Sequence, residues 1–415
     1  MQIIFFNFLW SGKKDRIKRN ILYNDYENGG LKMTHLRSFC SALKIAWVKR
    51  ILDKQNKGMW KIFFHHELYP FGGEIIFSGN FQTHDLFRPM NQFWRDVLVA
   101  WSSYKYYNPV KFKEILSQSI WNNSFIKIDG KMLFLRKWFE SGINKVSDIL
   151  HDNCHIKSFI EMRTEFHLEG KEFMNYCAIV CAVKSKWRQV FNQQGNIGLM
   201  NSTDQKLSIF LSKKRPTKFC YPIFVNKICL DLKDTNQLGK WERDLNVTLE
   251  PLIQWQDRFK RIFKATLDTK IRTFQFKFLH RRVATNEFLF RIGIKGSPNC
   301  NFCKKECQDL VHLFIKCSVV RSFWDDINKW LIDLSVIAVP ISIQDICFGI
   351  QTKNSLINTI IFYGKHFIYK CKYSDRMPIF NHFQNDVMFL EKVERIISLK
   401  QGKLTFHVEK WNPVM

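Results

Sequence analysis

Residues 300–334 read CNFCKKECQDLVHLFIKCSVVRSFWDDINKWLIDL, and two patterns share that stretch. In its second half Val320, Phe323, Trp324, Ile327, Trp330, Leu331 and Leu334 recur every three or four residues. That spacing predicts an amphipathic helix over 319–334. In its first half, Cys300-x2-Cys303-x8-His312-x4-Cys317 places four soft ligands within one short module. A Cys-x-x-Cys turn aims two thiolates at one centre, and a later His and Cys complete the tetrahedron that zinc prefers. Four protein ligands leave no open position for a reactive water, so the single Zn2+ ion expected here is structural. Cys307, three residues after Cys303, stands as an alternative ligand. Five residues turn about 140° around an α-helix, so one straight helix cannot aim both His312 and Cys317 at a metal. A break or distortion is expected near residues 316–318.

Outward from this module the pattern stays helical. Apolar spacing predicts helices over 35–53, 91–106, 255–280, 356–369 and 387–398, with Pro378 between the last two. The expected fold is therefore mostly α, with several helical units, a small zinc module between helices and little β-structure. Four segments are expected: a basic helical segment at 1–70, a helical middle region at 71–255 with a polar linker near 192–236, the zinc-binding domain at 256–335, and a helical tail at 336–415.

Composition bounds the function. The 415 residues carry 64 Lys+Arg against 37 Asp+Glu, a net charge of +27. Such a surplus repels itself unless a polyanion offsets it, and nucleic-acid phosphate is the expected one. Residues 257–295 hold eleven Lys/Arg against three acids. Lys13, Lys14, Arg16, Lys18 and Arg19 form a second cluster, and both suit phosphate contacts that position a strand without reading its sequence. The apolar start precedes its basic run, the reverse of a secretory signal. With no such leader the twelve cysteines imply a reducing, intracellular setting, cytoplasmic or nuclear, rather than a disulfide framework. The longest apolar run, residues 331–350, is interrupted by Asp333, Pro340 and Asp345, so no membrane partner is expected.

Motifs for catalysis are missing from the sequence. It contains no phosphate-binding Gly-rich loop and no Gly-x-Ser-x-Gly elbow. The one adjacent carboxylate pair, Asp325-Asp326, falls on the polar side of the 319–334 helix and not on a hairpin suited to magnesium.

Four stretches resemble a family. Phe8-Leu9-Trp10-Ser11-Gly12 followed by the basic run and Gly29-Gly30-Leu31 is the first, and Trp121-Asn122-Asn123-Ser124 with residues 138–150 the second. The third is residues 279–294 leading into Cys300-x2-Cys303, His312-Leu313-Phe314-x2-Cys317 and Trp324. The tail, with residues 365–370 and Pro378, is the fourth. Together they resemble the C-terminal part of a LINE-type (non-LTR) retrotransposon reverse transcriptase, including its zinc-binding domain. In that family the catalytic palm and the endonuclease lie upstream of everything resembled here. The resemblance therefore implies a non-enzymatic fragment that binds RNA or DNA backbone without sequence preference. It assigns the metal to Cys300, Cys303, His312 and Cys317, and phosphate contacts to Lys260, Lys264, Arg281 and Arg282. Expected partners extend to a separate polymerase subunit or another protein. The rival readings are a zinc-stabilised interaction scaffold and a decayed element copy without a selected role.

Overall fold

The computed structural model describes every residue except 1, 83–89, 152–154, 192–204, 231–236, 247–251 and 353–354. Helices dominate, and the one sheet among the described residues is a hairpin pairing Lys127–Ile128 with Lys131–Met132. The chain forms two compact units, one of residues 34–228 and one of residues 1–33 with 229–415. The segment expected as residues 1–70 thus divides between them after Met33.

In the 34–228 unit, helices Leu36–Leu52, Gln92–Lys105 and Pro216–Asn226 pack together. Ile45, Val48, Trp94, Val97, Leu98, Trp101, Phe210 and Phe224 meet in one core. A second core gathers Ile120, Trp121, Trp138, Ile143 and Val146 under Ile179 and Val183 of helix Phe173–Phe191. Part of the linker expected near 192–236 is helical. Gln205–Ser212 and Pro216–Asn226 are both helices, because Phe210, Cys220 and Phe224 find places in the first core. The remainder of that linker, 192–204 and 231–236, lies outside the described residues.

The other unit carries the zinc motif. One basic helix over 255–280 is in fact two, Leu252–Ala265 and Thr269–Leu279. The break is set by Asp268, whose carboxylate caps the second helix by accepting from the N–H groups of Lys270 and Ile271. Ser318–Asp333, Leu356–Tyr373 and Phe380–Lys400 follow. The last begins two residues after Pro378, earlier than apolar spacing alone predicts. Trp255, Phe259, Phe274, Phe278, Phe314, Phe323 and Trp324 are buried.

The N-terminal segment is fastened to this unit. His280 Nε2 meets the Gly29 carbonyl at 2.9 Å, and Tyr26 stacks on Phe263 with ring centroids 3.9 Å apart. Asn24 Nδ2 donates to the Leu230 carbonyl at 2.8 Å, and Lys260 pairs with Glu27 at 2.8 Å. Among the described residues no helix is long and apolar enough to cross a membrane.

Candidate metal centre

The metal motif begins on a knuckle. The N–H of Cys300 donates to the Glu306 carbonyl at 2.8 Å and that of Gln308 to the Pro298 carbonyl at 2.9 Å. Lys304, with φ 60°, takes the left-handed turn that reverses the chain between them, its N–H donating to the Cys300 carbonyl at 3.0 Å. Asn286 braces the knuckle from outside. Its buried amide donates to the Asn299 carbonyl at 2.6 Å and to Asn301 Oδ1 at 2.7 Å.

The other two ligands come from a distorted turn. His312–Lys316 is a π-helix, closed by the Cys317 N–H donating to the His312 carbonyl at 3.0 Å. A π-turn bonds residues five apart, so His312 and Cys317 return to one side where an α-helix would separate them. The distortion expected near 316–318 is present, and it starts earlier, at the histidine itself. Trp324 then donates its indole N–H to the Phe314 carbonyl at 2.9 Å, satisfying a group that the π-turn leaves free of ordinary helical bonding.

All four ligand atoms lie within 4.8 Å of one another. Cys300 Sγ and Cys317 Sγ are 3.9 Å apart, and Cys303 Sγ is 3.4 Å from His312 Nε2. The edges of a zinc tetrahedron with ordinary Zn–S and Zn–N bonds run about 3.5–3.8 Å, so the donor set fits one zinc ion. Cys300, His312 and Cys317 are buried and Cys303 half-buried, as a structural site requires. Cys307, the alternative ligand, is exposed and stands outside this cluster.

The two closest sulfurs share one proton: the hydrogen bond between them holds the Cys300 thiol below the usual thiol range, helped by Gln308 and the N–H groups of Cys303 and Phe302, and pushes Cys317 up. His312 Nδ1 lies 3.0 Å from the Glu306 carboxylate, which fixes the ring so that Nε2 faces the sulfurs. His312's own N–H donates to Asp309 Oδ1 at 2.6 Å.

With this geometry in place, the comparison with known families is specific. Residues 247–324 match the family described as zinc-binding in reverse transcriptase. The matched span takes in the two basic helices, the Asn286 brace, all four ligands and the π-turn, and it ends at Trp324. Residues 247–324 thus carry a reverse-transcriptase zinc-binding module, with one structural zinc as its cofactor.

The basic residues anticipated for phosphate are unevenly placed. Lys13, Lys14, Arg16 and Lys18 are exposed, whereas Arg19 pairs with Asp15 at 2.6 Å and lies over Phe6. Lys264 and Arg282 are exposed, and Lys260 is engaged by Glu27. Arg281 is drawn inward, paired with Asp244 and lying over Trp241 with 4.6 Å to the ring centroid. It anchors the turn after helix Thr269–Leu279 and is not displayed to solvent as Arg282 is. Lys270 and Lys277, two of the eleven basic residues of 257–295, lie seven residues apart on one face of that helix. Nothing in the sequence marked Glu306, Gln308 or Asn286 as supports of the zinc site, because their roles depend on how the knuckle folds.

Proposed function

We propose that the chain is a non-catalytic part of a LINE-type reverse transcriptase that holds RNA or DNA by its backbone, with the zinc module as its rigid support. One observation carries this reading. The N-terminal run and the basic helices, some 250 residues apart in sequence, belong to one unit and are joined through His280 and Gly29. Their positive charge therefore adds locally, which is the condition for releasing several counterions at once. Asp325 and Asp326 are both exposed on helix Ser318–Asp333, which supports a solvated face rather than a magnesium site.

A salt titration with the full chain tests the reading. Affinity for unrelated RNA and DNA sequences should fall steeply as salt rises, with a log–log slope of several units. Lys13→Glu with Lys14→Glu, and separately Arg282→Glu, should weaken all sequences alike. Binding that ignores salt, or none at low salt, refutes it. The scaffold reading also has an observation behind it, since Ile3, Ile4 and Phe8 are 63%, 67% and 87% exposed on helix Gln2–Leu9. Loss of a protein partner on Phe8→Ser, with nucleic-acid affinity absent from the start, would favour that alternative.

A further inference from the structure

A cleft of about 390 Å³ opens in the zinc-bearing unit, lined among others by Arg16, Lys270, Thr273, Lys277, Arg282 and Tyr369. Four of those side chains are cationic, and no carboxylate lines the cleft. Three separate pieces of chain supply the charge. Arg16 comes from the N-terminal run, and Arg282 from the turn after helix Thr269–Leu279. Lys270, Thr273 and Lys277 lie on one face of the helix itself, at steps of three and four.

None of the four cations is ion-paired among the described residues. Asp268, the acid at the head of the helix, is turned to capping and accepts from the N–H groups of Lys270 and Ile271. Lys277 is half-buried, and burial together with the nearby Arg16 holds its ammonium below the usual lysine range. Converging like charges repel, and that cost is relieved only when an anion enters. Thr273, between the two lysines, brings a hydroxyl to the same helix face.

Size decides which anion. The cleft is at the small end of the range for small-molecule sites. It admits one nucleotide unit, while a duplex would have to stay at its rim. We propose that this cleft is a binding site for the phosphate of an unpaired nucleotide, so that the unit prefers single strands over duplex. The inference rests on the nucleic-acid reading above and adds to it a place and a strand preference.

Fluorescence anisotropy with the full chain tests it, using one twelve-nucleotide strand, its blunt duplex, and the strand with and without a 5′-phosphate. Lys277→Gln and, separately, Thr273→Val with Lys270→Gln should weaken the single strand about tenfold, the scale of one charge-assisted hydrogen bond. Duplex affinity should change less than twofold, and each variant should keep one zinc, which shows that its fold persists. A gain from the 5′-phosphate assigns the cleft to a terminal monoester. Equal binding assigns it to internal diesters, and both outcomes uphold the site. Equal losses for strand and duplex, or unchanged single-strand affinity in zinc-loaded variants, overturn it. Failure of the parent reading looks different, because the unaltered chain would then bind neither probe at low salt.

Discussion

In the 34–228 unit, rings pack on rings. Phe64 lies 4.6 Å from Trp94 by centroid, Trp60 stacks on Trp94 at 5.7 Å, and Phe77 meets Trp101 edge-on at 5.9 Å. The zinc-bearing unit has such packing too, but it encloses acids and bases together, where the 34–228 unit buries Lys105 against the Phe77 carbonyl. His407 meets Glu391 at 2.9 Å, both nearly inaccessible. Glu394 accepts from Thr266 at 3.0 Å, Lys410 at 2.8 Å and Trp411 at 3.0 Å. Lys365 is fully buried, donating to the Cys347 carbonyl at 2.9 Å beneath the Phe278 ring. Aromatic packing accepts many residue combinations, whereas metal ligands, and a paired charge whose partner would stay buried, are intolerant of exchange.

The largest expected effect separates the two units through the metal. Structural zinc contributes on the order of 10 kcal/mol to the folding of small modules. Chelation, or Cys300→Ser, should abolish bound zinc and strip hydrogen-exchange protection from residues 269–333. Helices Leu36–Leu52 and Gln92–Lys105 should keep theirs. Equal loss in both units would show that the contrast in their stabilisation does not hold.

Next in size is the reverse experiment. Trp101 is fully buried, and Trp101→Ala should cost about 3–5 kcal/mol in its own unit through lost burial and the cavity left behind. Denaturant unfolding followed by hydrogen exchange should show protection falling in residues 92–105 while one zinc remains bound.

The smallest concerns Lys365. Burial pushes its amine down to about 7. In the unfolded chain it titrates at the ordinary lysine value of 10.5. Between those values the unfolded state binds the extra proton, so stability from this residue rises with pH from about 7 towards 10. The slope is at most about 1.4 kcal/mol per pH unit. Lys365→Met should flatten that rise and leave stability near pH 7 similar or higher, because an apolar chain of like length needs no desolvation. An unchanged slope in the variant would place the titrating group elsewhere.

The same contrast explains what could be read in advance. Zinc chemistry demands Cys and His at fixed separations, so the four ligands and the His312–Cys317 distortion were legible from spacing. Helices such as Leu36–Leu52 and Ser318–Asp333 followed from apolar period. The division of the 255–280 helix was not, because Asp268 acts as a cap only once Lys270 and Ile271 turn their N–H groups towards it. Nor was the inward turn of Arg281, since its partners Asp244 and Trp241 lie about forty residues upstream and no local pattern joins them. Basic residues look alike in sequence. Only packing distinguishes the one that braces a turn from the neighbour that faces solvent.

The bond between His280 and Gly29 spans 251 residues of chain. Its consequence is temporal. A ribosome adding roughly 5–20 residues per second would need about 10–50 s to supply His280 after Gly29 has emerged. During that interval Phe6, Trp10, Ile21 and Leu22, all buried in the finished unit, have no completed surface to settle against. The 34–228 unit, contiguous in sequence, can close first, and the N-terminal segment must wait with its apolar side uncovered until the zinc-bearing half arrives.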